Sequence, residues 1–111
     1  MPDYPRLALP GEEGYALVRH EDILFCQADG SYTHLFLTSG QSVKVCRKLK
    51  EVQEMIDSND FLRIHHSHVI NLNHIKRYSD NEQIQLILTD GTKLTVSRSR
   101  RSSFFEKFIR L

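Results

Sequence analysis

Residues 83–97, QIQLILTDGTKLTVS, leave the backbone little freedom. Apolar side chains alternate on both sides of an Asp-Gly pair: Ile84, Leu86 and Leu88 before it, Leu94 and Val96 after it. A period of two places each set on one face of a strand. Asp90-Gly91 suits the positive φ angles of a two-residue type I′ turn, so the stretch is predicted as a hairpin with one buried face. SYTHLFLT (31–38) and QSVKVC (41–46), joined through Ser-Gly, predict a second hairpin, and EDILFCQA (21–28) is an apolar run of strand length.

Two segments carry the helical period. RKLKEVQEMIDS (47–58) stripes Leu49, Val52, Met55 and Ile56 along one face. SFFEKFIRL (103–111) stripes Phe104, Phe105, Phe108 and Ile109, with Ser103 and Glu106 at the spacing of a capping box. Both are read as packing elements. With 111 residues and 40% hydrophobic content the chain suits one domain, over 15–111, preceded by a loose Pro-bearing segment at 1–14. No apolar run approaches the ~20 residues of a membrane span, and the start lacks a basic-then-apolar signal pattern, so a cytoplasmic protein is expected. Cys26 and Cys46 lie in apolar segments and are expected as reduced, buried thiols.

The net charge of +1 conceals an asymmetry. Residues 1–40 hold two basic and six acidic side chains, residues 61–111 nine and four, and KVCRKLK (44–50) holds four basic and no acidic one. It is the local face that a polyanion feels. Residues 63–75, RIHHSHVINLNHI, add four of the six histidines. Catalysis is not expected: no Gly-rich phosphate loop, Gly-x-Ser-x-Gly elbow or apolar-flanked carboxylate pair is present, and no catalytic residue is assigned. On a continuous strand His66 and His68 would share a face as a His-x-His clamp, yet a third ligand is missing, so neither metal nor cofactor is expected.

FLRIHHSHVINLNHIKRY resembles the signature of the LytTR (LytR/AlgR-type) DNA-binding domain, Phe-x-Arg-x-His-x-Ser-x-(Ile/Val)-Asn-x-x-x-Ile. The matching positions are Phe61, Arg63, His65, Ser67, Val69 or Ile70, Asn71 and Ile75. ILFCQADGSYTHLFL is similar to the family's strand, loop and Tyr segment, RKLKEVQEMI to its Leu-bearing helix, and LTDGTKLTVSRSR to its last hairpin ending in Val-Ser-Arg. The order agrees from about residue 15 to 108. His66 stands where Arg, Lys or Asn is frequent, and His68 where an aromatic residue is common.

The resemblance implies a mainly β fold: short antiparallel strands in small packed sheets with one or two short helices. It implies promoter binding from loops that reach successive major grooves, with Arg63 and His65 organising the motif and His66 projecting. Base contacts are assigned to His66, Arg98 and Tyr32, because imidazole, guanidinium and phenol can each meet a base edge. Phosphate contacts fall to Lys44, Arg47, Lys48, Ser67, Arg100 and Arg101. Asn71 is assigned to a turn, bonding nearby backbone. The expected partner is double-stranded promoter DNA, and the reading admits a homodimer on paired repeats. Family members usually carry an N-terminal receiver or sensor domain; residues 1–14 cannot be one, so an excised output module or a stand-alone member is expected, most naturally from a two-component response regulator. Two other classes stay open at this point: a protein–protein module whose basic face docks an acidic partner, and a His-based metal sensor.

Overall fold

All four residues of ILFC, 23–26, are buried, which is why this stretch shows no alternation: both faces of its strand are covered. A computed structural model describes residues 6–56 and 58–111. In order they form β1 (Leu7–Gly11), β2 (Gly14–Val18), β3 (Ile23–Asp29), β4 (Tyr32–Leu37), β5 (Ser42–Val45), α1 (Leu49–Ile56), β6 (Phe61–His65), β7 (His68–Asn71), β8 (Ile75–Asp80), β9 (Ile84–Leu88), β10 (Lys93–Val96) and α2 (Arg101–Phe105). Every pairing is antiparallel. The central sheet runs β5-β4-β3-β7-β6, a second runs β10-β9-β8, and β1-β2 stands as a separate hairpin.

The central sheet separates two cores. On one face Cys26, Leu35 and Val69 meet Leu49, Val52 and Ile56 of α1 and Leu9 of β1. On the other, Phe25 and Ile70 meet Ile84, Leu86, Leu88, Leu94 and Val96 of the three-stranded sheet, together with Phe104 of α2. A register shift between Ile23 and Phe25 lets Leu24 and Phe25 both serve the second core.

Both predicted hairpins form, with a different turn from the one expected. The Leu88 amide donates to the Thr92 carbonyl at 2.8 Å and the Gly91 amide to the Leu88 carbonyl at 2.9 Å, so the loop holds three residues. Leu37, Gly40 and Gln41 repeat the arrangement. Each loop needs one left-handed residue, and Gly91 (φ +90°) and Gly40 (φ +92°) provide it. The Asp90 carboxylate instead accepts from the amide and hydroxyl of Thr92.

Four local expectations are corrected. The segment expected to be loose, 1–14, forms strand from Leu7 onward and joins β2; its first five residues lie outside the described ones. In α1 the buried stripe is Leu49, Val52 and Ile56, while Met55 is 59% exposed; Asp57 of the predicted helix lies outside the described residues. The last helix covers only 101–105, with Arg100 rather than Ser103 at its N-cap, and Ile109 is 90% exposed. Phe104 and Phe105 of the helix, and Phe108 beyond it, pack on Tyr78 instead of along a longer helix face. Cys26 is buried, and burial pushes its thiol up to about 12, but Cys46 is exposed.

Candidate nucleic-acid interface

The histidine-rich stretch is not one continuous strand. It folds as β6, a two-residue turn at His66-Ser67, and β7, so His65 pairs with His68 across the hairpin, their ring centroids 5.5 Å apart. His66 and His68 therefore do not act as same-face strand neighbours, which corrects the clamp geometry. Among the described residues no group of three His, Cys, Asp or Glu side chains is placed to hold a metal ion.

The turn is held by its own flanking residues. Arg63 Nε donates to the His65 carbonyl at 2.9 Å, and a second guanidinium nitrogen donates to the His66 carbonyl. His65 Nδ1 accepts from the Ser67 amide at 3.0 Å, so in the neutral ring Nε2 carries the proton. The Ser67 carbonyl in turn accepts from the Ala28 amide of β3 at 2.9 Å. With its backbone fixed from three sides, the exposed His66 projects from a stiff support. Asn71 is fully enclosed: its amide nitrogen donates to the Ile23 and His20 carbonyls, and its oxygen accepts from the Asn73 amide. His74 donates through Nε2 to the Glu21 carbonyl.

Strand register brings the other candidates to the same end of the sheet. Ala28 pairs with Thr33, Thr33 with Val45, Gln27 with His68, and His68 with His65. The Asp29–Tyr32 loop, the β5 exit at Cys46–Lys48 and the His66-Ser67 turn thus share one edge. The Ser97 amide donates to the Ile64 carbonyl at 2.8 Å, which sets the 3-10 turn Arg98–Arg100 beside β6. Burial, and then the nearby charge of Arg100, push the Arg63 guanidinium below its ordinary value.

The cations differ in how they are engaged. Lys44 Nζ lies 4.3 Å above the centre of the Tyr32 ring, and Tyr32 is itself exposed. Arg98 and Lys48 are exposed. Arg47 faces Glu51 at 3.6 Å in an exposed i,i+4 pair. Arg101 is turned to Asp80 at 3.2 Å and lies over the Phe105 ring, so it is the most committed to the protein itself. One pair escaped the sequence reading, which assigned no carboxylate to the interface: Asp29 Oδ2 accepts from His34 Nε2 at 2.9 Å in the same region.

Beneath this edge Phe36, Phe25, His68 and His65 form a run of ring contacts. Burial, and secondarily the neighbouring His65, hold His68 below its usual value of about 6.5. The unfolded chain then binds more protons than the fold once pH drops below ~6.5, so stability is complete above that pH and declines below it. Thermal melts at pH 7.5 and 5.5 should show a larger loss for the unsubstituted protein than for His68→Gln; equal losses would mean that His68 does not carry the dependence.

The sequence model of the family described as "LytTr DNA-binding domain" matches residues 13–109. The sensory transduction protein LytT of Bacillus subtilis is 30% identical over 96 residues, covering 85% of this chain and 39% of that protein. LytT of Bacillus cereus is 34% identical over 102 residues, with the same shares covered. The chain therefore spans well under half the length of these relatives. Among solved structures, a LytTr DNA-binding domain of a putative methyl-accepting/DNA response regulator from Bacillus cereus superposes with a TM-score of 0.78, covering 94% of this chain and 95% of that one at 24% identity, a likeness of fold. Among the described residues no helix is long and apolar enough to cross a membrane.

Proposed function

Since the chain belongs to the LytTR DNA-binding domain family, we propose that the loop-bearing edge of its five-stranded sheet binds double-stranded promoter DNA sequence-specifically, as the output domain of a cytoplasmic transcriptional regulator. The observation that carries this reading is the convergence of four separate segments on that edge, through strand register and the Ala28–Ser67 and Ser97–Ile64 backbone bonds. His66, Arg98 and Tyr32 are the base readers. Arg98 is suited to the sharpest role, because a planar guanidinium donates two bonds to guanine O6 and N7 in the major groove. Lys44, Arg47, Lys48, Ser67, Arg100 and Arg101 anchor phosphates, which sets register and affinity without reading sequence; Arg101 does so only by leaving or sharing Asp80.

The names of the LytT relatives, which describe sensory transduction, support placing the domain in a two-component response regulator behind a receiver or sensor domain. A pair of such domains would occupy repeated half-sites. Ionic strength tests the proposal. With roughly four to six phosphates neutralised, log K should fall against log salt with a slope of about −4 to −5. A flat dependence, or equal affinity for an unrelated acidic protein, would overturn the DNA reading.

A further inference from the structure

Asp29 is an acidic side chain in the middle of a surface otherwise suited to a polyanion. It ends β3, is exposed, pairs in register with Tyr32, and is held through Oδ2 by His34 Nε2 at 2.9 Å. His34 is in turn the register partner of Lys44, whose ammonium covers Tyr32. The hydrogen bond from His34, and then the charge of Lys44, hold the carboxyl below the usual carboxylate range, so it stays ionised near neutrality.

An ionised carboxylate facing phosphates is repelled, whereas one facing a base amino group is a fitted acceptor. In the major groove the amino donors are cytosine N4 and adenine N6. Adenine sets its N7 acceptor beside N6, so a carboxylate oxygen bonded to N6 would stand close to a second lone pair. Cytosine offers N4 with only a C–H beside it. We propose that Asp29 is a specificity-determining residue whose Oδ1 accepts from cytosine N4 while Oδ2 is held by His34, and that His34 is its positioning residue. The inference rests on the DNA reading above and adds an acceptor to a set of readers that otherwise consists mainly of donors.

The test uses fluorescence anisotropy at one salt concentration on the duplex that the protein selects from a random DNA library, its single-base variants and a scrambled duplex. The unsubstituted protein should favour cytosine at one position by about tenfold or more, the scale of one good base contact. Asp29→Ala should abolish that preference and leave affinity for scrambled duplex equal or higher. Asp29→Asn keeps an oxygen for His34 and presents a donor, so the preference should move toward thymine or guanine at the same position. His34→Ala should weaken the cytosine preference and His34→Gln, whose amide can donate the same bond, should restore part of it. Because Asp29 is exposed, melting temperatures should be unchanged and a binding effect can be read directly. If Asp29→Ala raises affinity for every duplex by one factor, Asp29 only repels phosphates and the inference fails. If nothing changes on any duplex, the pair with His34 is a surface contact and the inference fails equally. Absence of binding by the unsubstituted protein is a different result, visible before any variant is made, and would overturn the DNA reading itself.

Discussion

Arg98→Ala is expected to cost the preferred duplex about 1–3 kcal/mol more than it costs scrambled DNA, and to relax the preference at one base position. Arg98 follows β10, whose end is tied to β6 by the Ser97–Ile64 backbone bond, so a rigid scaffold aims an exposed guanidinium from beside the His66 turn. Lys48→Ala is the matched comparison: an exposed lysine at the start of α1 that contacts a phosphate should weaken all sequences alike and flatten the salt slope by about one unit. Anisotropy series on the selected site, its single-base variants and scrambled duplex separate the two. If Arg98→Ala keeps the full base preference and loses only overall affinity, Arg98 is a phosphate anchor, and specificity passes to His66 and Tyr32.

Phe104→Ala is expected to lower stability by about 3–5 kcal/mol. Its ring is fully buried in the second core and meets Tyr78 edge-on at 5.3 Å and Phe108 at 5.0 Å. A helix of five residues cannot sustain itself, so α2 exists because this ring anchors it. The 3-10 turn bearing Arg98 and Arg100 runs directly into α2, so the same substitution should also weaken DNA binding through loss of support. Urea unfolding provides the measure, with the 90%-exposed Ile109→Ala as control, expected within ±0.5 kcal/mol. A cost for Phe104→Ala below ~1 kcal/mol would mean that α2 is held by something else.

The parts of the fold legible in the sequence are those where one face is apolar and the other is not. β9 and β10 alternate cleanly, and α1 shows its stripe. The β1-β2 hairpin was not legible, because its outward face carries Ala8, Pro10, Tyr15 and Leu17, all exposed, while its inward face carries Leu9. Apolar residues on both faces erase the period-two signal, and Pro10 argues against a strand. α2 misled in the opposite sense: four apolar residues at helical spacing suggested a nine-residue stripe, but Tyr78 satisfies the rings after little more than one turn. The His66-Ser67 turn has neither Gly nor Asn to announce it; Arg63 closes it by bonding two carbonyls.

At the candidate interface, residue types were readable and their assembly was not. Two of the bonds that gather the segments join residues 28 to 67 and 64 to 97, and such long-range pairings leave no local mark. Asn71 shows the same limit. Its turn role was legible from its neighbours, but its amide also ties to the carbonyls of His20 and Ile23, far back in the chain. Asp29 and His34 are separated by Gly-Ser-Tyr-Thr, and nothing in that stretch marks them as partners until β3 and β4 are paired.

Selection of bound duplexes from a random DNA library at physiological salt is the most direct test of the central claim that this edge reads DNA sequence. The expected result is convergence on one short motif, bound on the order of 10³-fold or more tighter than scrambled duplex, with enrichment lost at single positions for Arg98→Ala and His66→Ala. A pool that remains random after repeated rounds, with every duplex bound alike, would contradict it.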